Sequence, residues 1–484
     1  MPGQCVITRE FVVAEGVFAP GHLGELTQVL DFDLVDAVVA ETGTVQRRVR
    51  LLPTRVVIYF VLALALFEQC GYRRVWAKLT AGLVGLKLVT PTAGALTRAR
   101  RRVGPKPLRA LFEAVAGVVG RPSTPGVFWR GMRTVAIDAT TLHVPQALCR
   151  TGSAAGYAQR EHTRRGTRVT FGYPLLRLSV LVECGTRAVI AAVFGPESEG
   201  EKGGENGHAE RLLHAVRSGM LVLADAGYDS WRLLHDIAAE AEFLCRATSR
   251  RTPLVLRELS DGSYLSVLGY GRLKVRIVEA WVTVTWADGT VTREQWRLVT
   301  SLLDHRRHPA GDLVDLYHRR WQAETTYLSI KSTILDGRVL RSHRPADIDQ
   351  EIHALLTVYQ TIIRIAVDAI DAPDAKPDAK PDAKAGTRPD RISFTVALQT
   401  AADQVVAAVG IIPPTGATLI GVIGRAVLDD LLPPPRPRGK ARTRKNPTSK
   451  YTANTGAFPQ TSLTYTITTT VTIMKDGLTP RTRR

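Results

Sequence analysis

The chain has 484 residues, enough for roughly two to four domains of ordinary size. Hydrophobic residues make up 45% of the sequence, a share that excludes a largely disordered protein. Lys and Arg number 64 against 45 Asp and Glu, so the formal net charge is +19 and polyanions, nucleic acid foremost, are the expected partners. Five cysteines stand far apart without a CxxC pair, which argues against a disulfide scaffold or a cysteine-rich zinc site.

No segment of the sequence has the length expected of a membrane span. The longest apolar run, Val56 to Phe67, has twelve residues, whereas a spanning helix needs about 20. The N-terminal sequence MPGQCVITREF lacks a basic start followed by an apolar stretch, so export is not expected. We therefore expect a cytoplasmic protein that has no membrane partner.

Residues 1–128 are predicted to form a helical N-terminal domain. A basic cluster lies within it, made up of Arg98, Arg100, Arg101, Arg102, Lys106 and Arg109. Such a cluster is either a solvated helix face or a surface for phosphates, and the sequence leaves both readings open. Pro122 and Pro125 then mark a boundary between domains.

Residues 129–242 change to strands that alternate with helices. TVAIDATTLHV is a β-rich run, and LLRLSVLVE and RAVIAAVFG flank Cys184-Gly185-Thr186 as the two strands of a hairpin. GHAERLLHAVRSG has a helical pattern, LVLADAGY is another buried strand, and DSWRLLHDIAAEAE is a second helix. Because a hairpin precedes the crossover helix, this order predicts an α/β domain with a mixed sheet.

Residues 243–310 interrupt this alternation with a β-rich insertion. KVRIVEAWVTVTW and VTREQWRLVTSLL predict two antiparallel strands with a turn at Asp288-Gly289. Residues 311–370 follow as closing helices of the α/β core, one from Asp312 to about Leu335 and one from about Ala346 to Ile370.

The C-terminal part is expected to lie outside the core. The linker, residues 371–390, contains three PDAK repeats whose composition cannot build a hydrophobic core. Residues 391–432 predict a short helical segment. The tail, residues 433–484, begins with a basic stretch and is expected to be disordered and to add nonspecific affinity for DNA.

Two aspartates follow the apolar parts of two predicted strands. Asp138 follows TVAI and Asp225 follows LVLA, and α/β sheets bind their ligands at the carboxyl ends of strands. An isolated Asp in such a place is more often a turn former or a helix cap. Two of them after neighbouring buried strands of a basic protein favour a functional site.

A third acidic residue, Glu324, lies in the helical sequence LYHRRWQAETTYLSIKSTIL. Tyr317, Arg320, Glu324 and Lys331 follow one another at spacings of three, four and seven, which places all four on one face of a regular helix. An amphipathic helix with an i,i+4 ion pair would explain Arg320 and Glu324. It would not explain why Tyr317 and Lys331 lie on the same helix face as this ion pair.

These three motifs together resemble those of the DDE transposases of bacterial insertion sequences. The helix has the spacing Y-x2-R-x3-E-x6-K of that family, AIDATT is similar to its first aspartate motif, and ADAGY is similar to its second. The resemblance covers about residues 40 to 365. It implies an α/β fold with an RNase H-like catalytic core, a β-rich insertion domain, a helical N-terminal domain that binds DNA ends and a small helical C-terminal segment.

The resemblance also implies how the site works. Asp138, Asp225 and Glu324 would be the catalytic residues and would hold two Mg²⁺ ions, with Asp138 shared between them and Mn²⁺ able to substitute. Carboxylates suit this task because Mg²⁺ prefers hard oxygen ligands. Arg320 and Lys331 would bind the phosphates around the bond that is cut.

Two aromatic residues are further candidates for contact with DNA. Tyr317 would pack or hydrogen-bond near the nick. Trp296, late in the insertion, would stack on a flipped base, whereas a core anchor is the commoner role for a Trp in an alternating strand. The family usually has Gly after its first Asp, and here Ala139 takes that place, which we interpret as a tolerated change because Ala is also small. If the position required a positive φ, Ala would be strained there and the site impaired.

The expected function is a transposase that binds the inverted-repeat ends of its element, cuts the strands with metal ions and transfers them to target DNA. Its partner would be double-stranded DNA, and a homodimer would hold the two ends together near the bacterial nucleoid. Two alternatives remain open at this point. One is a metal-dependent nuclease that lacks strand transfer, and the other is a repurposed relative that binds DNA without catalysis.

Overall fold

The structure is a computed structural model, which describes residues 21–46, 50–149, 160–164, 167–196, 204–285, 291–372, 388–412, 420–433 and 468–473. The chain forms two compact units. The first, here called the helical unit, comprises Met1–Ala116, Ile330–Ala375 and Phe394–Asp429. The second, here called the sheet unit, comprises Gly117–Ser329, Lys376–Ser393 and Asp430–Arg484.

The described residues contain helices and strands at the following positions. The α-helices are α1 Phe32–Glu41, α2 Thr54–Leu66, α3 Tyr72–Thr80, α4 Ala93–Val103, α5 Lys106–Val115, α6 Glu205–Leu212, α7 Trp231–Glu240, α8 Ala310–Tyr317, α9 Trp321–Leu328, α10 Pro345–Asp371, α11 Phe394–Ala407 and α12 Val422–Asp429. The strands are β1 Phe128–Trp129, β2 Met132–His143, β3 Arg160–Arg164, β4 Thr167–Phe171, β5 Leu175–Glu183, β6 Val189–Pro196, β7 Met220–Ala224, β8 Glu242–Arg246, β9 Arg257–Glu258, β10 Tyr264–Leu268, β11 Leu273–Thr285, β12 Val291–Thr300 and β13 Thr468–Ile473.

The helical unit is built around two apolar helices, α2 and α10. Nearly every residue of α2 is buried, and α10, which begins with Pro345 at its first position, packs against α2, α5 and the C-terminal helices α11 and α12. By its contacts α10 groups with the helical unit, as do residues 394–429, whereas the sequence analysis placed α10 among the closing helices of the core and residues 391–432 in a segment of their own. The reason is that α10 is apolar on most of its surface and needs helices around it to bury that surface.

Helix α10 also has the length and apolar composition that a membrane-spanning helix requires. Within the protein, however, 83% of its most apolar stretch is buried, as is common for the core helices of folded proteins.

The basic cluster of residues 98–109 includes a residue that is buried in the core of the helical unit. Arg100 in it is only 2% exposed and donates to the Gln350 and Ser342 side chains, so it is a core residue and neither of the two surfaces that the sequence left open.

The sheet unit contains one sheet of eleven described strands, which runs β6-β5-β2-β7-β8-β12-β11-β10-β9, with β1 and β13 paired at its side. In the first five of these strands, β5 is antiparallel to both β2 and β6, whereas β7 is parallel to both β2 and β8. This order, with α6 before β7 and α7 before β8, is that of an RNase H-like core. The expected hairpin is confirmed, and Gly185 in its turn has φ +96°.

The β-rich insertion extends the core sheet. Strand β12 pairs antiparallel with β8, and β11 pairs with β12, so the added strands continue the sheet and do not form a sheet of their own. The boundary expected at residue 243 is also wrong, because it cuts β8, the fifth strand of the core. Sequence alone placed EFLCR with the strands that follow it, whereas its parallel pairing with β7 places it in the core.

Two expectations about the rest of the chain can be compared with the structure only in part. The PDAK repeats and the turn at Asp288-Gly289 lie outside the described residues. In the tail, Thr468–Ile473 form β13, which pairs antiparallel with β11. The prediction that the whole tail is disordered is therefore wrong. The sequence TTTVTI accounts for this, because β-branched residues favour strands.

Candidate active site

Asp138 and Asp225 lie on neighbouring parallel strands, β2 and β7. The pairing of these strands ends at Ala136 and Leu223, and Asp225 directly follows the end of β7. The expectation that Asp138 ends its strand is wrong. Instead β2 continues beyond it, paired with β5, because the hairpin supports β2 beyond the point where β7 stops. Both aspartates therefore lie where the parallel part of the sheet ends, which is the usual place for ligands.

The third carboxylate comes from the helical segment that follows the sheet. This segment is not the single regular helix predicted from Asp312 to Leu335, because the 3₁₀ turn His318–Arg320 separates α8 from α9 and a π-helical turn, Ser329–Ile334, follows. Residues three apart eclipse one another in a 3₁₀ turn, which brings the Arg320 guanidinium to 6.0 Å from the centre of the Tyr317 ring.

Arg320 lies between two of the three predicted catalytic carboxylates. Its Nη2 donates to Glu324 Oε1 at 2.9 Å, and its Nη1 lies 3.6 Å from Asp138 Oδ2. The guanidinium is largely buried, so water screens these charges little. Lys331 lies in the π-helical turn, in the helical unit, and its place beside these residues stays a prediction.

Asp138 is buried among the charged groups of this site. The pKa of its carboxyl is raised to about 7, chiefly by burial; the charges of Asp225 and Glu324 also raise it, whereas Arg320 and the Ala139 N–H lower it. Desolvation is the main cause of this shift, and the charged neighbours contribute less. That Asp138, Asp225 and Glu324 form one site stays a prediction, which is supported by Arg320 lying beside both Asp138 and Glu324 and by Asp225 following the strand next to β2.

Two buried tyrosines attach the helical segment to the strands that carry the aspartates. Tyr317 is 3% exposed and donates its hydroxyl to Ala224 O at 3.1 Å, directly before Asp225. Tyr327 donates to Asp138 O. A contact of Tyr317 with DNA does not fit this burial. Sequence analysis missed Tyr327, although its position three residues after Glu324 in a helix is the signal that could have revealed it.

We expect Tyr317→Phe to slow strand cleavage by about fivefold while leaving the affinity for DNA ends unchanged, because the lost hydrogen bond, worth about 1 kcal/mol, orients Asp225 through the backbone. Single-turnover cleavage and end binding would be measured side by side. Tyr264→Phe is the matched control, since that buried hydroxyl donates to Glu279 elsewhere in the sheet unit. A variant that loses end affinity and keeps its cleavage rate would contradict the positioning role.

Trp296, the candidate for base stacking, is a core residue of the sheet unit. Its side chain is 6% exposed, and its ring lies 5.3 Å from the Tyr317 ring at 80° and 5.0 Å from the His318 ring. The indole therefore holds β12 against the 3₁₀ turn. This is the core-anchor role that the sequence left open, and stacking on a base would require Trp296 to leave this packing.

The two small residues of the aspartate motifs have different reasons to be small. Ala139 lies inside β2, where it is paired with Ser179, and it does not have a positive φ. The backbone strain that a positive φ would cause is therefore absent at Ala139. Asp225 caps the turn Ala226–Tyr228 and accepts the N–H of Gly227 at 2.8 Å. A Cβ on Gly227 would lie only 2.5 Å from Glu205 Oε2, so a larger residue here would require the Glu205 side chain to move.

The donor set of this site fits a divalent metal ion with oxygen ligands. Carboxylates supply all of the predicted ligands, and the Arg320 guanidinium lies beside two of them, Asp138 and Glu324. Among the residues that the structure describes, no three His, Cys, Asp or Glu side chains stand close enough to hold an ion as they are. Binding would therefore replace contacts that the Arg320 guanidinium now makes.

Comparison with known proteins identifies relatives of both units. Residues 20–113 match the family described as the insertion element 4 transposase N-terminal domain, and residues 129–360 match the transposase DDE domain. The transposase InsG for insertion sequence element IS4 from Escherichia coli (strain K12) is 28% identical over 354 residues, which are 70% of this chain and 76% of that protein.

Among solved structures, the chain is similar to the piggyBac transposase in a synaptic complex with hairpin DNA. The likeness covers 85% of this chain and 86% of that one, at 11% identity and a TM-score of 0.40. The two family matches cover the helical N-terminal region and the part of the chain that contains Asp138, Asp225 and Glu324. The chain therefore belongs to the DDE transposases of the insertion element 4 family.

Proposed function

We propose that this transposase binds the inverted-repeat ends of its own element, cuts the strands there and joins the freed 3′-OH to target DNA in a cut-and-paste reaction. One observation supports the proposal above all: Arg320 lies between Asp138 and Glu324, and Asp225 follows the strand that pairs in parallel with the strand of Asp138. The net charge of +19 supports double-stranded DNA as the partner. Cytoplasmic action at the bacterial nucleoid is part of the same proposal.

As a DDE transposase, the chain depends on a divalent metal ion. We propose Mg²⁺, with Mn²⁺ as a substitute, and two ions held by Asp138 jointly and by Asp225 and Glu324 singly. Two such ions activate the attacking oxygen and stabilise the leaving oxygen of a phosphodiester. The buried and crowded Asp138 suits the shared position, because its negative charge is the least compensated by solvent.

The basic residues of the signature have a proposed role in holding DNA. With the charges of Asp138 and Glu324 neutralised by bound metal, the guanidinium of Arg320 becomes available to a phosphate beside the bond that is cut. Lys331 is proposed to bind a phosphate on the other side. Each catalytic site acts on one end, so a homodimer is proposed to hold both ends of the element.

The proposal is tested by excision from a plasmid that carries the gene's own flanking DNA as ends. We expect the wild-type chain to excise the element in Mg²⁺ or Mn²⁺, to fail in EDTA, and to fail when the ends are scrambled. Products joined to target DNA distinguish a transposase from a nuclease, which would cut without joining. End binding without cleavage in either metal would contradict the proposal and favour a repurposed DNA-binding relative.

A further inference from the structure

A fourth carboxylate, Glu205, lies beside the three that the family signature predicts. It is the first residue of α6, the helix that leads from β6 towards β7. An ideal Cβ on Gly227 would lie 2.5 Å from Glu205 Oε2 and 3.1 Å from Asp225 Oδ1. The two carboxylate oxygens are therefore separated by no more than the sum of these distances, which is close enough for both to interact with one cation and its ligands.

The position of Glu205 is fixed by the helix that carries it. His208, one turn further along α6, is fully buried, and its Nδ1 lies 3.1 Å from the Ser179 hydroxyl. Ser179 in turn is paired across the sheet with Ala139, the neighbour of Asp138. The first turn of α6 is thus attached next to the catalytic strands. Glu205 is 44% exposed and ion-paired with Arg177 at 3.0 Å.

A second and independent feature of the same place is the hydroxyl of Tyr228. Its side chain is 1% exposed, and the hydroxyl oxygen has no hydrogen-bond partner among the residues that the structure describes. Tyr228 ends the short turn that Asp225 caps, and this turn contacts α6, the helix of Glu205. A buried hydroxyl normally has a partner, so this one indicates that a polar group is bound there.

We propose that Glu205 is a fourth carboxylate of the divalent-cation site, on the side of Asp225, and that the Tyr228 hydroxyl donates a hydrogen bond to the water around the same cation. This inference rests on the metal site proposed above. The donor atoms present determine the class of cation, since carboxylate and hydroxyl oxygens select Mg²⁺ or Mn²⁺ over softer metals. A role for Glu205 as nothing more than the partner of Arg177 is the alternative.

The test is a titration of the full chain with Mn²⁺ in the absence of DNA, with free Mn²⁺ followed by electron paramagnetic resonance. We expect Glu205→Gln and Tyr228→Phe each to weaken Mn²⁺ binding by about tenfold, in line with other groups that support metal ligands. Glu210→Gln is the matched control, because Glu210 is exposed on the same helix and should leave the affinity unchanged. Asp225→Asn in the same titration reports on the underlying metal site.

The possible outcomes separate the two proposals. Wild-type affinity in Glu205→Gln together with a loss in Asp225→Asn would overturn the role of Glu205 and leave the triad site intact. Wild-type affinity in Asp225→Asn would overturn the triad site itself. If Glu205→Gln lowers the melting temperature without metal, Glu205→Asp decides, since recovery of Mn²⁺ affinity by this shorter carboxylate supports a charge at the site and continued weak binding contradicts it.

Discussion

Asp138→Asn is expected to reduce strand cleavage by about 10³-fold or more, the largest effect of any single substitution at the site. The amide keeps the shape of the carboxylate and removes the charge that the metal ions need, and stabilisation by such ions is worth several kcal/mol, with about 1.4 kcal/mol for each factor of ten. The fold should persist, because burial already favours an uncharged group at this position, where the pKa of Asp138 is raised to about 7.

Cleavage of end DNA in Mg²⁺ would measure the effect, with end binding and thermal melting recorded on the same preparations. Asp312→Asn is the matched control, because Asp312 is an exposed aspartate of the sheet unit that pairs only with Arg130 among the described residues. It should cleave at the wild-type rate. Cleavage by Asp138→Asn at that rate would show that the triad has been assigned to the wrong aspartate.

The local features of this fold could be read from the sequence because they depend on local patterns. The β5–β6 hairpin, helices α6 and α7 and the two long strands β11 and β12 all follow from apolar periodicity and turn residues. The two aspartates could be located for the same reason, since each follows a run of apolar residues that only a buried strand explains.

The long-range features could not be read in this way. Nothing local distinguishes β8 as a core strand from the strands after it, since its place depends on parallel pairing with β7. Similarly, α10 belongs to the helical unit through contacts with α2 and α5, more than two hundred residues away along the chain. The strand β13 lies far from its partner β11 in sequence, so its composition indicated a strand but not a partner.

Within the site, burial argues against the predicted DNA contacts of Tyr317 and Trp296, whereas the roles of the acidic residues stay predictions. Acidic residues can be assigned a role from their order and spacing, because a charged group in a strand or helix facing the core needs an explanation. Tyr317 and Trp296 carry no such signal, since an aromatic residue suits both DNA and the core. Their packing against each other became visible only with the fold. Glu205 was missed because its partner residues are distant in sequence.

Arg276→Met is expected to destabilise the sheet unit by about 3–5 kcal/mol, since it removes the buried guanidinium that compensates the charge of Asp261. The Arg276 guanidinium is fully buried and donates to Asp261 Oδ2 at 2.5 Å, to Ser263 Oγ at 2.8 Å and to His308 O at 2.6 Å. For a unit of this size such a loss corresponds to a fall in melting temperature of about 10 °C.

Arg272→Met provides the comparison, because Arg272 is exposed, immediately precedes β11 and lies 5.7 Å from the Trp231 ring. It should change the melting temperature little, and equal melting of the two variants would contradict the anchoring role of Arg276. The consequence of that anchor reaches the active site. Asp261 also accepts the N–H of Ala310, the first residue of α8, at 3.0 Å. Loss of Arg276 therefore loosens the start of the helical segment from which Tyr317, Arg320 and Glu324 reach the two aspartates.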